Sequence, residues 1–239
     1  MSTNGASWSV LTHGPIEKLS ENLSSVEGSL PGMSLKRIMA VAKRSDGRLV
    51  IHSAIALEEG AMKEIEAWGE IAFLIVPNGW HRLDAPAFKA RYPNAKVLAP
   101  KGATKKVEEK VKLDGTLEDY PADPAVQLEN LHGIAEQEGA MIVHSADGTS
   151  VVLTDAIFNL PKKPSDFLGW VFTSVFASAP GPRVSRLFKL AAVKDKKALR
   201  ADFERFAALP DLTRVLVGHG DIARGANAAQ ALRAAAGFL

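Results

Sequence analysis

The arrangement of apolar and polar positions divides the chain into short strands and amphipathic helices. Ile38 to Lys43 (IMAVAK) and Arg48 to Ser53 (RLVIHS) are apolar runs on either side of Ser45-Asp46-Gly47. That polar turn carries a glycine free to take positive φ, so the stretch predicts a β-hairpin. Glu58 to Trp68 (EEGAMKEIEAW) has acidic residues in its first turn and apolar ones at helical spacing, which predicts a helix. Ile71 to Val76 (IAFLIV) is the continuous apolar run expected of a strand buried on both faces. Asp84 to Tyr92 (DAPAFKARY) predicts a helix capped by Asp84, with Pro86 tolerated in its first turn. Lys96 to Ala99 is then the next strand, and Lys101 to Val111 suits a charged surface helix.

The second half repeats the strand-then-helix order. Gly139 to His144 (GAMIVH) and Ser150 to Thr154 (SVVLT) are joined through Asp147-Gly148, a strong hairpin signal. Lys194 to Leu209 places Leu199, Phe203, Phe206 and Leu209 at helical spacing, Thr213 to Val217 (TRVLV) reads as a last strand, and Ala226 to Ala236 as an Ala-rich helix. A hairpin, βα units, a second hairpin and further α and β elements predict an α/β sandwich assembled from two halves.

Composition narrows this picture. With 239 residues and 46% hydrophobic content the chain has ample material for one large core, so a single domain over residues 1–239 is expected. The formal charge is only +2, from 29 basic and 27 acidic residues, and gives no support for nucleic acid as a partner. Without cysteine there is no disulfide framework, no thiol catalysis and no thiolate ligand, so a metal would need nitrogen and oxygen donors. The start, MSTNGASWSV, lacks a basic cluster and an apolar run, which makes a cytoplasmic location the default. Phe167 to Pro182 is apolar but stops at Pro180-Gly181-Pro182, short of the roughly 20 residues that span a bilayer. It reads as a buried or lid-forming helix or an interaction surface, and residues 162–192 as a lid or interface insertion that would also serve a homo-oligomer.

No G-x-S-x-G, G-x-G-x-x-G or P-loop pattern occurs, so candidate chemistry has to be sought at strand ends. Three places qualify: Pro77 to Asp84 (PNGWHRLD), Thr154-Asp155, and Gly218-His219-Gly220-Asp221. Taken in order, a hairpin, a buried strand ending in the first cluster, a second hairpin ending in Thr154-Asp155 and a final VLVGHG resemble the metallo-β-lactamase superfamily over most of the chain. The resemblance implies a four-layer αββα sandwich with mixed sheets. It also implies a hydrolytic metal site in which H-x-H-x-D-H, a G-H-T-x-G turn, an Asp after a hairpin and a late His supply the ligands.

Carried over residue by residue, Asp155 takes the place of the family's bridging Asp and His219 that of its last His; these are the candidate catalytic positions and principal ligands. Gly139 stands at the second Gly of G-H-T-x-G, which puts Glu136 at the position of that motif's His. The first cluster departs from the pattern. Aligning Asn78 with the first His leaves Trp80, Arg82 and Leu83 at the next ligand positions; a shift by one puts His81 on the second His and Asp84 on the last. In either register a dinuclear site is lost. What the resemblance leaves is one divalent metal (Zn, Fe or Mn) held by some of His81, Asp84, Glu136, Asp155 and His219, or no metal.

Each residue also has a structural reading. Asp84 serves as a helix cap, Asp155 and His219 as a hydrogen-bonded pair that fixes loop geometry, and Glu136 as a solvated loop carboxylate. His52 and His144 fit neutral strand histidines satisfied by one hydrogen bond, and His132 replaces a missing ligand if the loop before Gly139 runs differently. Two functions follow: a metal-dependent hydrolase of a small molecule with a reduced, mononuclear site, or a non-catalytic ligand-binding or protein-interaction module that kept the sandwich and lost the metal.

Overall fold

The computed structural model describes residues 7–161, 167–175 and 177–239. Seven strands, β1 (Glu17–Lys18), β2 (Leu23–Leu30), β3 (Met33–Lys43), β4 (Leu49–His52), β5 (Ile71–Ile75), β6 (Lys96–Ala99) and β7 (Gly115–Thr116), lie side by side in chain order. The expected first hairpin is β3–β4, with Ala40 opposite His52 and Gly47 at φ +84° in its turn. From β4 onward the pairing is parallel, as the intervening helices α1 (Glu59–Trp68) and α2 (Ala85–Arg91) require. The expected Lys101 to Val111 helix is shorter, a 3₁₀ turn at Lys101–Ala103 leading into α3 (Thr104–Glu108).

The rest of the chain supplies β8 (Val126–Asn130), β9 (Gly139–Ser145), β10 (Gly148–Val152), β11 (Phe158–Leu160), β12 (Gly181–Arg183), β13 (Leu212–Leu216), β14 (His219–Gly220) and β15 (Ala223–Arg224). Five of these form a second mixed sheet in the order β15-β13-β10-β9-β8, and β12-β11-β14 form a small third one. The helices are α4 (Phe167–Val175), α5 (Arg186–Ala191), α6 (Lys196–Ala207) and α7 (Ala226–Gly237). Ser185 and Asp195 cap α5 and α6 by accepting backbone N–H bonds.

Side-chain alternation along the strands builds the layers. In β9, Ala140 and Ile142 face α6 and α7 with Val151, Val215, Phe203 and Leu232, whereas Met141 and Val143 face the first sheet with Val50, Phe73 and Leu98. Leu49 and Ile51 of β4 point the other way, onto Met62, Ile65 and Phe88 of α1 and α2. Three apolar seams therefore separate helices, sheet, sheet and helices, which is the expected four-layer αββα sandwich. Each fully buried Leu, Ile or Phe in these seams contributes roughly 1.5–3 kcal/mol of burial.

The apolar segment beginning at Phe167 forms α4, which packs against β3 yet leaves Phe167 75% and Trp170 50% exposed. Phe176 and residues 162–166 lie outside the described residues. No helix among the described residues is long and apolar enough to cross a membrane. Strand β2 (LSSVEGSL) escapes the hydrophobic pattern because Ser24 and Ser25 are buried where apolar residues are expected.

Candidate metal centre

The loops after β4, β5, β10 and β13 converge at one end of the sandwich. Among the described residues, a nitrogen of His81, a carboxylate oxygen of Asp155 and a nitrogen of His219 lie within 4.8 Å of one another. His81 Nε2 is 3.3 Å from Asp155 Oδ1, and His219 Nε2 is 3.4 Å from the same oxygen. Three segments far apart in sequence thus bring two imidazoles and one carboxylate to a common point.

Each imidazole is held from behind. His219 Nδ1 lies 2.6 Å from the carbonyl oxygen of Lys36, which can only accept, so Nδ1 carries a proton and Nε2 is the atom turned toward Asp155. The ring also stacks on Phe158 at 5.1 Å, because β14 pairs with β11 in a register that sets Phe158 opposite His219. His81 Nδ1 contacts Ser53 Oγ at 2.7 Å. Ser53, immediately after β4, is buried with φ +57°, a left-handed conformation that costs a non-glycine residue about 1 kcal/mol or more. Gly218 permits the approach of His81: a Cβ there would sit 2.8 Å from His81 Cε1 and 3.1 Å from Thr154 Cα.

Asp155 is fixed from the opposite side. Asn78 is fully buried, and its amide nitrogen lies 2.8 Å from Asp155 Oδ2 and 3.0 Å from both Glu138 Oε2 and Thr154 Oγ1. Its amide oxygen accepts the backbone N–H groups of Trp80 and His81, which shapes the loop that delivers His81. Glu138, also fully buried, accepts N–H bonds from Thr154, Asp155 and Ala156 and so clamps the turn after β10. Burial and the negative charge of Asp155 push Glu138 up to about 7. Burial alone would raise Asp155 as well, but the charges and hydrogen bonds of His81 and His219 outweigh it and hold its carboxyl well below the usual range. His52, at the end of β4, is fully buried with no partner for Nε2; burial and neighbouring His81 lower it to about 3. His144, the other strand histidine, has the bond expected of it, with Thr149 Oγ1 3.0 Å from its Nδ1.

The donor set suits a divalent ion. Donors on a tetrahedral ion at about 2.0–2.2 Å stand roughly 3.3–3.6 Å apart, close to the two separations from Asp155. At these separations either a proton or a cation between each Nε2 and the carboxylate oxygen satisfies the group. Two histidines with one carboxylate, each oriented by an outer partner, match nitrogen-and-oxygen sites for Zn or Fe.

The other expected residues lie elsewhere or serve other ends. Asn78 adjoins the group, but both ends of its amide are engaged in holding it. Asp84 stands at the N-terminus of α2 without capping it; its carboxylate accepts from Arg37 at 2.5 Å and from the backbone N–H of Ala56 at 2.9 Å. Glu136 is exposed and outside the group, since Ala135 and Glu136 take φ +49° and +54° and turn the loop so that Glu138 points inward instead. His132 is also outside, beside Asp202. Sequence reasoning missed Ser53 and Glu138. The strand-end criterion that singled out Asp155 applies equally to Ser53, the last residue of RLVIHS.

A scan against protein-family models and a search of curated sequences returned no match. Solved structures do match. The DIM-1 metallo-β-lactamase superposes with a TM-score of 0.63 at 13% identity, covering 96% of this chain and 98% of that one. VMB-1 gives a TM-score of 0.63 at 13% identity over 92% and 95% of the two chains. A metallo-β-lactamase from Pontibacter korlensis gives 0.59 at 10% identity over 94% and 99%. With TM-scores near 0.6 over nearly the full length of both chains at very low identity, the chain has the metallo-β-lactamase fold.

Proposed function

We propose that the protein is a metal-dependent hydrolase of a small molecule whose centre is a single divalent ion held by His81, Asp155 and His219. The observation that supports this most strongly is the convergence of two imidazole Nε2 atoms on one carboxylate oxygen at 3.3 and 3.4 Å, each ring braced through its Nδ1. A divalent ion in such a setting supplies Lewis acidity and a nucleophilic water near neutral pH. The chain's own residues do the rest. Ser53 and the Lys36 carbonyl orient the imidazoles, Asn78 and Glu138 hold Asp155 and its turn, and Trp80, Phe158 and Phe188 restrict water in the adjoining cavity.

One observation favours a second reading. The same distances let a protonated imidazole satisfy Asp155 with no ion, which would leave a ligand-binding pocket on a retained scaffold. Chelator-treated protein supplemented in turn with Zn, Fe(II) and Mn, and assayed against a panel of simple esters, separates the two. The hydrolase reading predicts activity that one of these metals restores and that His219→Ala lacks. Metal-insensitive inactivity across the panel would favour the binding module.

A further inference from the structure

A cavity of about 240 Å³ opens onto the His81, Asp155 and His219 group, and its walls include Leu30, Met33, Leu35, Phe158, Leu187 and Phe188. Trp80 and Leu83 also line it while remaining 50% and 48% exposed, the placement expected of apolar side chains at a binding mouth. Among the described lining residues the only permanent cation is Arg37, and it is already neutralised. Its Nη2 donates to Asp84 Oδ2 at 2.5 Å, its Nη1 to the Ala54 carbonyl at 3.3 Å and its Nε to the Ser29 carbonyl at 3.3 Å. The carboxylate that faces the cavity is that of Asp155, already held by Asn78 and the two imidazoles, and away from this group the walls offer a buried carboxylate no partner.

From these walls and this charge balance we infer that the cavity takes uncharged esters with a hydrocarbon chain or ring, the carbonyl lying at the three-residue group and the hydrocarbon among the leucines and phenylalanines. The binding half of this statement stands on the cavity alone; the reaction half rests on the hydrolase reading above. Hydrolysis there adds one water across the acyl–oxygen bond. The water oxygen bonds to the acyl carbon, the bond to the alkoxide breaks, and a proton passes to the departing alcohol.

The test uses the full chain in two states. For metal-supplemented protein, kcat/KM for p-nitrophenyl acetate, butyrate, hexanoate and octanoate should rise by roughly fourfold per methylene until the cavity is filled. The mono-p-nitrophenyl ester of adipate, equal in length to the hexanoate but ending in a carboxylate, should be at least about tenfold poorer than the hexanoate. For chelator-treated protein, N-phenyl-1-naphthylamine should gain fluorescence on binding, and octanol should displace it at a concentration at least about tenfold below that needed with octanoate. Leu83→Lys, at a half-exposed position that tolerates a charge, should weaken the probe and narrow the gap between the hexanoate and adipate esters. A flat chain-length series, a preference for the adipate ester, or equal displacement by octanol and octanoate would overturn the ligand class even if hydrolysis is seen. Selective displacement by octanol with no hydrolysis of any ester would uphold the cavity assignment and remove the hydrolase reading.

Discussion

Two places in the second half of the molecule set a histidine beside a buried carboxylate, and they differ in what the carboxylate has left to offer. At the shallow depression formed by residues 129–136, Asp202 of α6 accepts the backbone N–H of His132 at 2.6 Å, its ring Nδ1 at 3.0 Å and Arg205 at 3.3 Å. Its charge is met by a permanent cation and a main-chain donor, and the His132 side chain is 73% exposed. This is a tie between a loop and a helix. In the cleft, Asp155 meets no arginine or lysine among the described residues; its partners are an amide and two imidazoles, and both imidazoles are buried and braced from behind. The contrast teaches that histidine next to aspartate is not by itself a site. What distinguishes one is a carboxylate whose charge only a titratable or exchangeable cation can balance.

The contrast can be broken most severely at Asp155. Asp155→Ala should abolish metal-restored hydrolysis, a loss of more than about a hundredfold, because removing a ligand exceeds the 10- to 100-fold typical of outer partners. The pH dependence of stability follows in size and concerns the cleft alone. His52 lies below its unfolded value, so between about 3 and 6.5 the unfolded chain binds a proton that the folded chain does not. Its contribution is complete above pH 6.5 and declines as pH falls toward 3. Glu138, raised to about 7, works in the opposite direction over the same range, so the test is a difference: in urea unfolding the wild type should lose roughly 3 kcal/mol relative to His52→Leu between pH 7 and pH 4. At the depression, Asp202→Ala should cost about 2 kcal/mol by freeing a buried backbone N–H, with metal affinity unchanged by calorimetry. Smallest is Ser53→Ala, which leaves the ligands in place but releases His81 and should weaken metal affinity by about tenfold.

How far the sequence discloses this depends on what each residue needs. Asp155 and His219 are legible because continuous apolar runs announce β10 and β13, and a polar residue right after a buried strand has few other reasons to be there. The same runs make the four layers predictable through their alternation. Glu138 is hidden because Glu136 and Glu138 are equivalent in sequence, and the choice between them rests on left-handed φ values at Ala135 and Glu136 that no glycine marks. Ser53 ends a predicted strand as visibly as Asp155 does, but the left-handed φ it adopts is likewise marked by no glycine. Asp84 reads correctly as the residue before a helix, yet its charge belongs to Arg37, which sits on a strand 47 residues earlier and becomes a partner only when the sheet folds. Local pattern thus reveals where the cleft is, and long-range pairing decides which groups in it remain available.

Elemental analysis of protein purified without chelator or a metal-affinity tag tests the central claim most directly. The account predicts close to one equivalent of Zn, Fe or Mn in the wild type and in His132→Ala, and near zero in His219→Ala. Equal metal content in the wild type and His219→Ala, or loss of the metal on removing His132 instead, would contradict it.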